Sequence, residues 1–308
     1  MTSKTVFNQT KKAAPNLSRP SAIGCVCIAA VLWSTAGLFF KWVPWHPVAI
    51  AGVRSGIAAA VLLTYWLAVY KKLPPLPAPK KALGALNYMV LVMLFTSANK
   101  LTTAANAILL QFTAPIWVII FAKLFIKEPV RRSGVIASIV VFLGMGLFFI
   151  DNLNAGGALG NVLAVISGIA MAIMVVSLKG VKTGSPLEII FWGNIFTFVA
   201  AAPFYGGIQS TPQSLLSIVT LGIFQVGIAY VFYGAGVQKL SALEGVLITV
   251  LEPLLNPVWV ILFYGESPSL FALIGGGIVI AAVIIQSIIS NKRTACIGNI
   301  SGDGVKIE

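Results

Sequence analysis

Apolar runs of helix-spanning length follow one another along most of the chain, separated by short junctions rich in proline, glycine and charge. A helix crossing a hydrocarbon core ~30 Å thick needs about 20 such residues at 1.5 Å rise each. The pattern predicts ten spanning helices, over 22–40, 47–70, 82–99, 103–126, 133–150, 158–178, 187–206, 215–237, 241–264 and 269–289. Punctuation falls where the runs end: Pro44 and Pro47, the cluster Pro74, Pro75, Pro77 and Pro79, Glu128-Pro129, Asp151 to Gly157, Gly184 to Pro186, Gly206-Gly207 with Pro212, and Pro268.

Composition supports this reading. The 308 residues are 58% hydrophobic and 9% charged, with a mean hydropathy of +0.96. A soluble domain carries about a quarter charged residues, so this chain cannot cover itself in water and its main solvent is lipid. The net charge of +13 would suit nucleic acid, but the basic residues sit in short loops between apolar runs, which excludes that partner. Cys25, Cys27 and Cys296 have no metal or redox spacing, and one histidine, His46, cannot build a histidine metal site. No metal, cofactor or catalytic constellation is expected. Residues 1–21 are polar and read as a disordered tail, with no convincing signal-peptide cleavage site after them. Residues 291–308 read as a second loose tail. Trp42 and Trp45 read as an interfacial aromatic belt.

Orientation follows from lysine and arginine in short loops. With the N-terminus inside and ten crossings, the inside segments hold every Lys and Arg except Lys41 and Lys100, which fall outside, and Arg54, which lies within the second helix. Nine or eleven crossings would put Lys292-Arg293 on the wrong side. Both termini are therefore expected in the cytoplasm.

The chain also repeats itself. Ala114-Pro115 and Glu252-Pro253 are 138 positions apart, as are Glu128 and Glu266. Ala22-Ile23-Gly24 echoes Ala158-Leu159-Gly160, and Lys100-Leu101-Thr102 echoes Lys239-Leu240-Ser241. Five helices per half is odd, so the halves must cross the membrane in opposite senses. The expected domains are a first repeat at 22–150, an external linker at 151–157 and a second, inverted repeat at 158–290.

Glu252 lies about nine residues into its apolar run, near mid-membrane at ~14 Å depth. A carboxylate there is costly and must face protein or water. Pro253 disfavours helical geometry at Glu252 and frees the Thr249 carbonyl. Thr249, Glu252 and Asn256 share a face, and Pro257 adds a second interruption. Pro115, Pro253 and Pro257 are therefore expected helix breaks with a gating role. Arg54 lies about seven residues into its helix, at ~10 Å depth, and needs a partner. It can pair with Glu252, bind an anionic substrate group, or snorkel to the headgroups.

Trp33-Ser34-Thr35, Arg54, Ala114-Pro115 with Ile126-Lys127-Glu128, Leu251-Glu252-Pro253 with Tyr264-Gly265-Glu266, and Gly275-Gly276-Gly277 together give a pattern that resembles the EamA-type members of the drug/metabolite transporter superfamily. The resemblance covers about residues 22–290. It implies an all-α membrane bundle of two inverted five-helix repeats around a central cavity, with the fifth and tenth helices peripheral. It also implies movement of small metabolites, often amino-acid export. Trp33, Gln111, Asn194 and Gln225 then fall near mid-depth on cavity helices, with Tyr230 and Tyr233 deeper. Each is a candidate substrate contact, or interhelical glue.

The reading that follows is a secondary transporter for a small polar metabolite, most consistent with amino acids, working by alternating access in a bacterial inner membrane. The guanidinium of Arg54 would suit a carboxylate and Glu252 an ammonium. Protons on Glu252 could couple transport, or transport could be facilitated diffusion. An intramembrane enzyme or a non-transporting receptor or scaffold is the alternative.

Overall fold

The computed structural model describes residues 17–40, 42–153, 157–264 and 269–302. Among these, every regular element is helical. In chain order they are α1 (Arg19–Ser34), α2 (Ala36–Phe40), α3 (Pro47–Tyr70), α4 (Pro79–Leu101), α5 (Ala104–Gln111), α6 (Ala114–Phe125), α7 (Arg132–Phe148), α8 (Ala158–Lys179) and α9 (Leu187–Ala200). Then come α10 (Pro212–Thr220), a π-helical stretch Leu221–Ile228, α11 (Ala229–Val237), α12 (Ala242–Thr249), α13 (Leu251–Tyr264) and α14 (Leu270–Gly302).

Among the described residues, six helices are long and apolar enough to cross a membrane: Pro47–Tyr70, Pro79–Leu101, Ala104–Phe125, Ala158–Lys179, Pro212–Val237 and Leu270–Asn291. Arg19–Ser34, Arg132–Phe148 and Leu187–Ala200 are shorter apolar helices. Side chains such as Leu83, Leu124, Leu143, Leu216 and Leu262 stand exposed on the outer surface. That much apolar surface is at home in lipid and not in water.

Local chemistry sets the helix ends. Pro47, Pro79 and Pro212 each sit in the first turn of their helix, where a missing N–H costs nothing. The Ser241 hydroxyl accepts from the Glu244 amide at 3.1 Å while the Glu244 carboxylate accepts from the Ser241 amide, a reciprocal cap at the start of α12. The Thr103 hydroxyl caps α5 through the Asn106 amide, also at 3.1 Å. Thr103 and Ser241 are 138 positions apart, and so are the ends of α5 and α12. The two broken helices are thus built alike, residue for residue, up to the break.

The breaks correct one detail. α5 stops at Gln111 and α6 starts at Ala114; α12 stops at Thr249 and α13 starts at Leu251. Glu252 is itself helical, and the interruption lies at Val250. Breaking earlier places Pro115 and Pro253 in the first turn of a new helix, where no hydrogen bond is lost to the ring. α13 runs on through Asn256 and Pro257, whose side chains lie outside the described residues.

Three other expectations shift. The run 187–206 is helical only to Ala200 and then tightens into a 3₁₀ turn at Ala202–Gly207, because Pro203 cannot continue the ladder. α14 continues to Gly302, where a loose tail was expected from 291; no proline interrupts it. Trp45 is buried and donates to the Gln209 carbonyl at 2.8 Å, so it anchors a loop, while Trp42 stays exposed. The expected N-terminal tail and Glu266 lie mostly or wholly outside the described residues.

One large core joins α1, α3, α4, α6, α8, α9, α11 and α12. A second lies where α7 packs along α14 and against α5, α12 and α13. α14 is the most peripheral of the six long helices, with 17% of its apolar window buried against 39% or more in the others.

Candidate functional site

The main core is hollow at its centre. A cavity of about 100 Å³ is lined by Trp33 of α1, Arg54 of α3, Gln111 of α5, Gln225 of the π stretch, Tyr230 and Tyr233 of α11 and Glu252 of α13. These seven were candidates from sequence, and the fold brings them to one space from six elements. That space has room for several waters or a small ligand.

Arg54 is 6% exposed. Its Nη1 donates to Gln225 Oε1 at 3.0 Å, its guanidinium carbon lies 5.2 Å from the Phe40 ring centre, and its Nε has no hydrogen-bond partner among the described residues. A guanidinium has five donors. One neutral acceptor leaves a buried cation short of counter-charge, and a ligand carboxylate would complete it through two parallel bonds.

Glu252 is half-buried and lines the same cavity. Among the described residues the ion pairs are Arg19–Glu244 and Lys81–Glu188; Arg54 and Glu252 do not form one. An acidic and a basic side chain thus face one cavity without closing on each other.

Aromatic rings make much of the remaining wall. Trp33 stands 5.1 Å from both Tyr230 and Tyr233, and Tyr230 stands 5.3 Å from Tyr88, centre to centre. Ring faces attract cations. The Tyr233 hydroxyl is buried with no hydrogen-bond partner among the described residues. Gln111 Nε2 donates to Ser167 Oγ at 3.3 Å, which orients its amide.

Asn194 does not reach the cavity. It is fully buried behind Tyr88 and donates to the Tyr88 hydroxyl at 3.3 Å and to the Ile190 carbonyl at 2.8 Å. It positions a wall residue. The side chain of Asn256 lies outside the described residues. Pro115 and Pro253 lie in the first turn of the second halves of the two broken helices, so Gln111 and Glu252 sit beside the breaks.

Sequence reasoning missed Tyr88, Phe40, Met171 and Met174 on the wall. The apolar three carry no polar signal that separates a cavity wall from core packing. Tyr88, a hydroxyl midway along an apolar helix, could have been found.

The two ends of the bundle differ. At one, Arg19 Nη2 meets Glu244 Oε1 at 2.5 Å and Lys81 Nζ meets Glu188 Oε2 at 2.6 Å. Lys179 also donates to the Leu240 and Gln238 carbonyls there. At the other, a neutral network joins Thr102, Asn106 and Asn161, with Thr102 Oγ1 donating to Asn161 Oδ1 at 2.7 Å.

A helical bundle with a lipid-facing exterior and a polar, charged cavity inside defines the class of polytopic membrane transport proteins. The profile of the EamA-like transporter family matches residues 20–150 and again 158–288, and the chain belongs to that family, within the drug/metabolite transporter superfamily. It is 24% identical over 262 residues to an uncharacterized transporter of Archaeoglobus fulgidus, covering 84% of this chain and 94% of that protein. It is 26% identical over 279 residues to the uncharacterized transporter YdfC of Bacillus subtilis, covering 85% and 89%. A solved crystal structure, 20% identical, superposes with a TM-score of 0.75 over 89% of this chain and 99% of that one, which establishes the shared fold.

Proposed function

We propose that this transporter is a secondary carrier that moves a small zwitterionic metabolite, an amino acid or a close relative, out of the cell by alternating access. One observation carries the reading: Arg54 and Glu252 line a single cavity without pairing. An α-carboxylate would satisfy the unspent donors of Arg54. An α-ammonium would sit between Glu252 and the faces of Trp33, Tyr230 and Tyr233. Substrate contacts are Trp33, Arg54, Gln111, Gln225, Tyr230, Tyr233 and Glu252, with Asn194 acting through Tyr88 and Asn256 one turn further along the chain from Glu252.

In this reading the chain crosses the bacterial inner membrane ten times with both termini in the cytoplasm. Repeats 22–150 and 158–290 are inverted about the linker 151–157. The interruptions before Pro115 and Pro253 are the hinges. The ionic end then faces the cytoplasm and the neutral end faces outward. Protons on Glu252 are the candidate coupling ion. The test is uptake of labelled amino acids into proteoliposomes containing the purified protein, with and without a proton gradient. A saturable flux that falls in both Arg54→Ala and Glu252→Gln supports the proposal; no flux of any proteinogenic amino acid overturns the substrate assignment.

A further inference from the structure

A second cavity, of about 320 Å³, lies at the ionic end of the bundle and shares no lining residue with the central one. Arg19, Arg131, Lys179 and Lys239 line it together with Glu128 and Glu244, so among the described residues cations outnumber carboxylates.

Both carboxylates are already engaged. Glu244 accepts from Arg19 Nη2 and from the Ser241 amide, and Glu128 accepts from the Ala242 amide through both oxygens, at 3.1 and 3.2 Å. Lys179 is held by two carbonyls. What is left unspent is specific. Arg19 Nε is buried without a hydrogen-bond partner, and half-buried Arg131 has no ion pair among the described residues.

A third group has the opposite need. Gln286 of α14 is 6% exposed and lines this cavity, and its carbonyl Oε1 accepts no hydrogen bond among the described residues. A buried acceptor left unmet costs about 1–3 kcal/mol. Water could meet Gln286 but would not answer the excess of positive charge. A ligand that answers both brings oxyanion oxygens to the guanidinium groups and a hydroxyl hydrogen to the amide.

We propose that this cavity binds a phosphate group carrying an adjacent hydroxyl, with Arg19 and Arg131 holding the oxyanion and Gln286 accepting from the hydroxyl. Planar guanidinium groups suit phosphate oxygens. Free phosphate and the headgroup of a hydroxyl-bearing anionic phospholipid offer this same chemistry, and basic pockets between membrane helices are suited to headgroups.

The test follows thermal unfolding of the full-length protein. One arm, in uncharged detergent, titrates inorganic phosphate against chloride at equal ionic strength. The other compares nanodiscs of phosphatidylcholine with and without phosphatidylglycerol. A midpoint rise of several degrees with phosphate assigns the site to the free anion, whereas a rise confined to phosphatidylglycerol discs assigns it to the headgroup. Arg131→Gln and Gln286→Leu should each weaken the responding ligand about tenfold, as loss of one charge-assisted or one buried bond requires. If either variant fails to fold, Gln286→Glu, which puts a negative charge into the cavity at unchanged size, should abolish the response. No rise beyond chloride in either arm, or an equal rise in the variants, overturns the proposal. Flux is not read, so the outcome is independent of the transport assignment.

Discussion

Arg54 carries five donors, and among the described residues it makes one hydrogen bond, to Gln225. That imbalance is where transport chemistry concentrates. Arg54→Ala should lower flux at least about tenfold, equivalent to ~1.4 kcal/mol of lost binding. Arg54→Lys should not restore it, because an ammonium cannot make two parallel bonds to a carboxylate. Flux at matched membrane abundance checks both, and normal transport by the alanine variant would reduce Arg54 to a packed side chain. Glu252→Gln keeps size and hydrogen bonding but removes charge and protonation. It should fold, weaken substrate binding and flatten the dependence of flux on pH. Unchanged affinity and an unchanged pH profile would leave Glu252 as structure alone.

The broken helices set those two side chains, and one close contact supports a break. A Cβ at Gly168 of α8 would lie 2.7 Å from the Gln111 carbonyl and 2.9 Å from Thr113 Oγ1. The glycine lets α8 approach the carbonyl that Pro115 cannot serve as donor. Gly168→Val should therefore destabilise by about 1–3 kcal/mol, the cost of overpacking. Gly24→Ala has open space around its new methyl and serves as the control, with stability unchanged or raised. Thermal unfolding of the two variants side by side decides this, and equal midpoints would show that α8 can back away from the break. The π stretch Leu221–Ile228 is the second element near the site, and it carries Gln225 to Arg54. Irregular turns of this kind gather at functional positions.

For the whole molecule, the asymmetry of the two ends is the main consequence. Ion pairs bind one end and neutral hydrogen bonds the other, so opening the ionic end means separating Arg19 from Glu244 and Lys81 from Glu188. Glu188 is almost wholly buried, and removing its partner would strand a charge. Lys81→Met should thus weaken that end and raise labelling of a cysteine placed in the central cavity by a reagent supplied from the ionic end. Labelling no greater than in the parent protein would show that Lys81 does not hold the end closed. The orientation has its own check. Cysteines at 151–157 and 207–213 should react with an impermeant reagent from outside, and cysteines at 71–81 should not; the reverse pattern would invert the topology.

The membrane character, the helical class and the twofold repeat were legible in the chain because each depends on local or periodic properties. Run length against bilayer thickness, loop charge and a 138-residue echo need no knowledge of packing. So were most polar members of the cavity: Arg54, Gln111, Gln225 and Glu252 are conspicuous since a polar group in an apolar helix must have a reason. Packing alone decided the rest. Whether Asn194 faced the cavity or stood behind Tyr88 depended on helix rotation, which the weak amphipathicity of a membrane helix does not encode. Whether Arg54 and Glu252 closed on each other depended on side-chain reach across the bundle. The charged cavity at Arg19, Arg131 and Gln286 joins residues from both ends of the sequence, and only the folded chain brings them into one space.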